Sequence, residues 1–125
     1  MKVLGNIIWL IFGGFGIAME YFTSSILLMI TIVGIPFGLQ TMKIGILSLW
    51  PFGSSVTEAE GEKGCLSAVM NVLWFFIGGI WICLSHFILG ILFCITVVGI
   101  PFGKQHFKLA HIAITPFGRD INIGL

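Results

Sequence analysis

The chain has 125 residues, a net charge of +1, 58% hydrophobic residues and 9% charged ones, with a mean hydropathy of +1.12. A soluble domain this small has too much surface to cover with so few charges, so the bilayer is the solvent that makes the composition sensible. A near-neutral balance gives no global field for nucleic acid.

In chain order, uncharged stretches cover residues 3–19, 22–39, 65–85 and 87–103. Each approaches the 17 to 25 or so residues that a membrane-crossing helix needs. Backbone groups in lipid must bond internally, and no strand-like polar alternation points to a barrel, so these stretches predict helices. Lys2 and the apolar run after it resemble a signal peptide. That segment has an internal counterpart, however, and is expected to be retained.

The counterpart belongs to a duplication. Residues 6–53 align with 71–118 at a constant offset of 65, and about 21 of the 48 positions are identical. Asn6/Asn71, Trp9/Trp74, Gly13-Gly14/Gly78-Gly79 and Thr31/Thr96 recur, as does the run Val33-Gly34-Ile35-Pro36-Phe37-Gly38 in Val98-Gly99-Ile100-Pro101-Phe102-Gly103. Gln40/Gln105, Lys43/Lys108 and Pro51-Phe52-Gly53/Pro116-Phe117-Gly118 close each copy. The chain therefore divides into repeat 1 (residues 1–53), a polar linker (54–64) and repeat 2 (65–125). The glycine pairs would let helices approach closely. Trp9, Trp50, Trp74 and Trp81 read as packing or interface anchors.

Each repeat reads as helix, short loop, helix, then a more polar segment. The loops are placed at Glu20-Tyr21 and Ser85-His86, giving four crossings. Lys2, Lys43, Lys63, Lys104, Lys108 and Arg119 then share one side, with both termini cytoplasmic. An even number of crossings per repeat makes the halves parallel hairpins about an axis along the membrane normal. A three-crossing alternative would split equivalent segments between environments. The fold class expected is all-α, integral membrane, with two helical-hairpin repeats, each followed by a cytoplasmic amphipathic helix.

The repeated Gly-Ile-Pro-Phe-Gly is superficially similar to a potassium filter, but such filters use consecutive carbonyls from four symmetric loops. Here glycine for a left-handed cap, with proline blocking continuation, reads as a helix stop. Gly34, Pro36, Gly38, Gly99, Pro101 and Gly103 either line a constriction or turn the chain at the cytoplasmic interface. Past the break, Lys104, Lys108 and His111 share one helical face with Gln105 at its flank, while Phe107, Ala110 and Ile114 face away. The first copy keeps Gln40 and Lys43. This basic face fits anionic lipid head groups, or a vestibule that attracts small anions.

The remaining polar residues carry weaker signals. Cys65, Cys83 and Cys94 have no metal spacing, and Cys83 and Cys94 read as small apolar residues. Glu58, Glu60 and Glu62 of the linker serve solvation, with a cation site as the alternative. Glu20 and His86 would form a proton-sensing pair if the repeats brought them together. No nucleophile–base pair or phosphate loop appears, so neither catalysis, a metal nor a cofactor is expected.

Repeat 2 carries a family resemblance. Trp81-Ile82-Cys83-Leu84-Ser85-His86, Gly90, Cys94, Val98 to Gly103, Phe107-Lys108 and Pro116-Phe117-Gly118-Arg119 resemble the YccF-type inner-membrane component family of bacteria. The resemblance spans nearly the whole chain, because that family carries two such repeats. It implies a cytoplasmic-membrane protein with a cytoplasmic C-terminus and names no substrate or catalytic residue. Longer members have a longer linker and extend further past the position of Arg119, so a basic tail is expected to be dispensable to the core. One copy has few helices to enclose a pathway. The expected function is therefore a homo-oligomeric channel or transport component; the alternative is an accessory protein that binds lipids or other membrane subunits without conducting.

Overall fold

The computed structural model describes residues 2–58 and 65–123. Helix α1 (Lys2–Trp9) passes through a π-turn (Leu10–Gly14) into α2 (Phe15–Ile30). A 3₁₀ turn (Ile32–Gly34) reverses the chain, and α3 (Ile35–Leu49) packs back along α2. The second repeat does the same with α4 (Cys65–Trp74), a π-turn (Phe75–Gly79), α5 (Ile80–Ile95), a 3₁₀ turn (Val97–Gly99) and α6 (Ile100–Ile114). Three helical stretches among the described residues are long and apolar enough to cross a membrane: Val3–Ile30, Ile32–Leu49 and Cys65–Ile95. The first has 28 residues, which at 1.5 Å per residue is about 42 Å. That exceeds the roughly 30 Å of hydrocarbon, so a crossing requires tilt.

The loops expected at Glu20-Tyr21 and Ser85-His86 are not present; both pairs lie inside continuous helices. A lone carboxylate in an apolar run often marks a helix end, but no Gly or Pro follows Glu20 before residue 31 to stop the helix. The other repeat also supplies a partner for Glu20, described below. Each hairpin instead turns at the Gly-Ile-Pro-Phe-Gly segment. The segments expected to lie on the cytoplasmic surface are therefore the return arms, α3 and α6, packed on the long helices.

The turn chemistry differs too. Gly34 and Gly99 have φ of −80° and −85°, not a left-handed cap, and Thr31 and Thr96 are the extended residues that break the helix. Their hydroxyls donate to the carbonyls of Leu28 and Phe93, at 2.7 and 2.8 Å. Glycine is required for space: a Cβ on Gly34 would meet the Leu28 carbonyl oxygen, and one on Gly99 would meet the Thr96 hydroxyl. Pro36 and Pro101 begin the return helices, where a missing N–H costs nothing.

The recurring residues clasp the base of each hairpin. The Trp9 indole N–H donates to the Ser48 carbonyl at 2.7 Å, and Trp74 donates to the Ala113 carbonyl at 2.9 Å. Gly14 and Gly79 leave room for these indoles, since a Cβ at either position would press on the ring and on the same carbonyl. Repeat 1 bends more sharply there, because Gly13 takes a φ of +153° that only glycine adopts readily. The fully buried Asn6 both donates to the Phe52 carbonyl (2.9 Å) and accepts from the Phe52 N–H (2.8 Å). Half-buried Asn71 accepts from the Phe117 N–H at 3.1 Å. Asn6→Ala is expected to lower the unfolding midpoint in detergent more than Asn71→Ala, by the equivalent of about 1 kcal/mol, because it leaves both the N–H and the carbonyl of part-buried Phe52 without their partner, whereas Asn71→Ala leaves one N–H.

The halves are related by a pseudo-two-fold axis, visible in residues that meet their own counterparts. Val56 pairs with Ile121 in a two-stranded antiparallel ribbon of β1 (Ser55–Glu58) and β2 (Arg119–Asn122). Ser85 touches Glu20. Off the axis the contacts are reciprocal: Phe37 meets Phe117 at 5.0 Å and Phe52 meets Phe102 at 5.4 Å, both edge to face. The tip of each hairpin thus lies beside the base of the other. Gln40 extends this contact by donating to the carbonyls of Arg119 (2.7 Å) and Pro116 (3.3 Å). The ribbon occupies part of the segment expected to be an open polar linker. Glu60, Glu62 and Lys63, with the roles expected of them, lie outside the described residues.

Candidate functional site

A cleft of about 560 Å³ opens where the long helices meet on the dyad. Its lining is itself two-fold: Gly16, Met19, Glu20 and Thr23 face Trp81, Leu84, Ser85 and Ile88 at the same offset of 65. α2 and α5 expose Phe15, Met19, Ile26, Leu27, Trp81, Phe87, Ile88 and Ile91 to the surroundings. In this apolar setting the half-buried Glu20 is the ionisable group of the cleft. The Ser85 hydroxyl donates to Glu20 Oε1 at 2.8 Å, whereas the buried Glu20 Oε2 has no partner.

Beside the cleft lie two buried polar centres at equivalent places. In repeat 1 the hydroxyls of Ser25 and Thr41 are 2.6 Å apart, next to Tyr21. In repeat 2 the corresponding residues are Gly90, His106 and His86, and the two imidazoles meet through Nδ1 at 2.9 Å. Trp9 stacks on His106 at 4.0 Å and on His86 at 6.5 Å; Trp74 stacks on Tyr21 at 6.1 Å. The structure does not pair Glu20 with His86: serine meets the carboxylate and a second histidine meets the imidazole. His106 passed unremarked in the sequence because its partner is 20 residues away. The spacing from Thr41 on the repeat offset was the available signal.

The other candidate residues are apart from this cleft. Gly34, Pro36, Gly38, Gly99, Pro101 and Gly103 form the tips and first turns of the return arms. Around them Ile32, Val33, Val97 and Val98 are 66–88% exposed, an apolar cap at each tip. A smaller pocket of about 210 Å³ lies between the first tip and the opposite base, lined by Pro36, Phe37, Gln40, Ser67, Phe117 and Arg119. Lys104, Lys108 and His111 form an exposed stripe on α6, with Gln105 half-buried at its edge; Lys43 is exposed on α3. Gln40 is committed to the bonds that join the repeats. Cys65 is exposed, Cys94 half-buried and Cys83 buried, all as free thiols.

An apolar all-α architecture, with helices long enough for the bilayer and a carboxylate set between them, defines an integral membrane protein built from a duplicated helical hairpin. The inner membrane component domain of the YccF family matches the chain twice, over residues 4–54 and 69–119. The inner membrane protein YccF of Escherichia coli (strain K12) is 31% identical over 129 residues, covering 97% of this chain and 87% of that protein, and the Shigella flexneri protein matches equally. The chain belongs to the YccF family of inner-membrane proteins. No solved structure matches it.

Proposed function

We propose that this chain is the subunit of a homo-oligomeric channel or transport component of the bacterial inner membrane, with the Glu20–Ser85 cleft facing the path of a small ion. The observation that carries this reading is the half-bonded carboxylate on the dyad of an apolar helix pair. An ionisable group in such a place is costly in lipid and is retained where it meets an ion or water. The cleft lies within the size range of ligand sites, about 300–1,000 Å³, but one subunit leaves it open along an apolar face. Further copies would enclose it.

In this reading the ribbon, Lys43, the Lys104–Lys108–His111 stripe and Arg119 face the cytoplasm, both termini share that side, and the long helices cross obliquely. The basic stripe then meets anionic lipid head groups, at about 1 kcal/mol per basic residue. The tips turn the chain and rest among apolar neighbours.

Flux of potassium, chloride and protons into proteoliposomes, measured with the detergent-solubilised mass, tests the proposal. Glu20→Gln is expected to lower flux about tenfold or more while leaving the mass of the oligomer unchanged. Thr23→Val, on the same rim, should have a far smaller effect. A stable monomer that passes no ion would replace this reading with that of a non-conducting accessory protein.

A further inference from the structure

Among the described residues, four buried side-chain atoms have no hydrogen-bond partner: Glu20 Oε2, Tyr21 Oη, His86 Nε2 and His106 Nε2. Each belongs to a group that can accept, release or pass a proton. Three of them lie on α2 and α5, the long helices that meet at the dyad, and the fourth lies on α6. Glu20 meets Ser85 on the dyad; Tyr21 and His86 are the next residues along each helix and are two-fold equivalents; His86 meets His106. An unpartnered buried polar atom is costly, and folded proteins keep few of them.

Packing alone does not call for the two histidines. Repeat 1 fills the same positions with Tyr21 and Thr41 and keeps the same hairpin. The imidazoles are fully buried, and His106 is held between Trp9 at 4.0 Å and Phe93 at 5.5 Å, with interplanar angles of 26° and 20°. Stacking on Trp9 and Phe93 fixes the orientation of the ring. Two rings that meet through Nδ1 at hydrogen-bond distance share one hydrogen, so they must hold opposite tautomers. One outer Nε2 is then bare and the other protonated. Cys83 lies one turn earlier on α5, and α2, which packs against α5, carries Glu20 and Tyr21. Lys104, Lys108 and His111 lie on the exposed stripe of α6.

We infer that His86 and His106 are a proton-transfer pair serving the Glu20–Ser85 cleft, so that the proton is the ion this protein moves or couples to. The inference rests on the transport reading above. A proton that binds the bare Nε2 of one ring drives that ring's Nδ1 hydrogen onto the Nδ1 of the second, which sheds its own Nε2 hydrogen. One proton enters and one leaves, and no other bond changes. The reverse passage restores the first pair of tautomers, so a second transfer in the same direction requires the rings to part, each taking up a proton on one nitrogen and releasing one from the other.

The test uses the full chain in proteoliposomes with an internal pH dye and a potassium diffusion potential. The variant His86→Tyr/His106→Thr carries the residues that repeat 1 already packs. It is expected to lose proton flux about tenfold or more while its unfolding midpoint stays close to that of the native chain. Nitrogen-15 spectra of histidine-labelled native protein in lipid provide a second readout that needs no variant to fold, and should show opposite tautomers sharing one hydrogen. Native protein that passes potassium or chloride but no protons overturns this inference and leaves the transport reading standing. So does undiminished proton flux in the double variant, or two imidazoles of like tautomer. Native protein that passes no ion at all overturns both.

Discussion

Replacing Trp9 with alanine should destabilise the protein by about 3–5 kcal/mol, the range for deleting a buried large aromatic side chain. Trp9 is 1% exposed, closes the first hairpin through the Ser48 carbonyl and forms one wall of the histidine pair. Its loss opens a cavity, strands a backbone carbonyl and removes the ring that reaches from repeat 1 into the core of repeat 2. The conservative change Trp9→Phe keeps most of the volume and loses the indole donor, so its cost should be closer to the 1 kcal/mol or so of one hydrogen bond plus some repacking. Unfolding midpoints in detergent, compared with Trp74→Ala, check the argument. Trp74 makes the same kind of clasp to Ala113 and faces Tyr21 and Phe117. A Trp9→Ala protein as stable as the native one would show that the indole clasp does not hold the hairpin.

The second large effect is expected at the tips, where a single methyl group should be enough. Gly34→Ala and Gly99→Ala each drive a Cβ into fixed atoms of the turn: for Gly34 the Leu28 carbonyl oxygen, and for Gly99 the Thr96 hydroxyl and the Phe93 carbonyl oxygen, the latter at 2.5 Å. Backbone cannot yield as a flexible side chain can. Overpacking of this kind costs about 1–3 kcal/mol. Gly16→Ala is the internal comparison, because nothing lies within 4 Å of its Cβ. In a helix interior that change should stabilise by about 0.5–1 kcal/mol. The three variants measured in one detergent separate the two meanings of glycine in this chain. Equal shifts for all three would sink the claim that the tips are sterically closed.

These residues also show what is legible in the sequence alone. The Thr-x-Val-Gly-Ile-Pro-Phe-Gly run was legible as a helix break, since proline and glycine act locally on the backbone. What lay on either side of the break was not. Hydropathy measures whether a segment tolerates lipid, and a helix of 28 residues scores as well as two shorter ones with a loop between them. Glu20 looked like an end because a charge in an apolar run usually marks one. It is accommodated by Ser85, 65 residues away, and no local signal carries that pairing. His106 was hidden for the same reason, as were the carbonyls to which Gln40 donates.

Composition and the offset-65 duplication determined, on their own, that this is an apolar helical protein made of two equivalent halves, each broken at the same motif. Those properties are additive along the chain or follow from backbone geometry within a few residues. Only the tertiary structure decided that the halves pack tip to base about a dyad, that the basic segments are return arms, that Glu20 meets Ser85 on that dyad and that His86 meets His106 within repeat 2. Such pairings depend on which helix faces meet, and two halves of nearly equal hydropathy can be joined in several ways that burial alone does not distinguish.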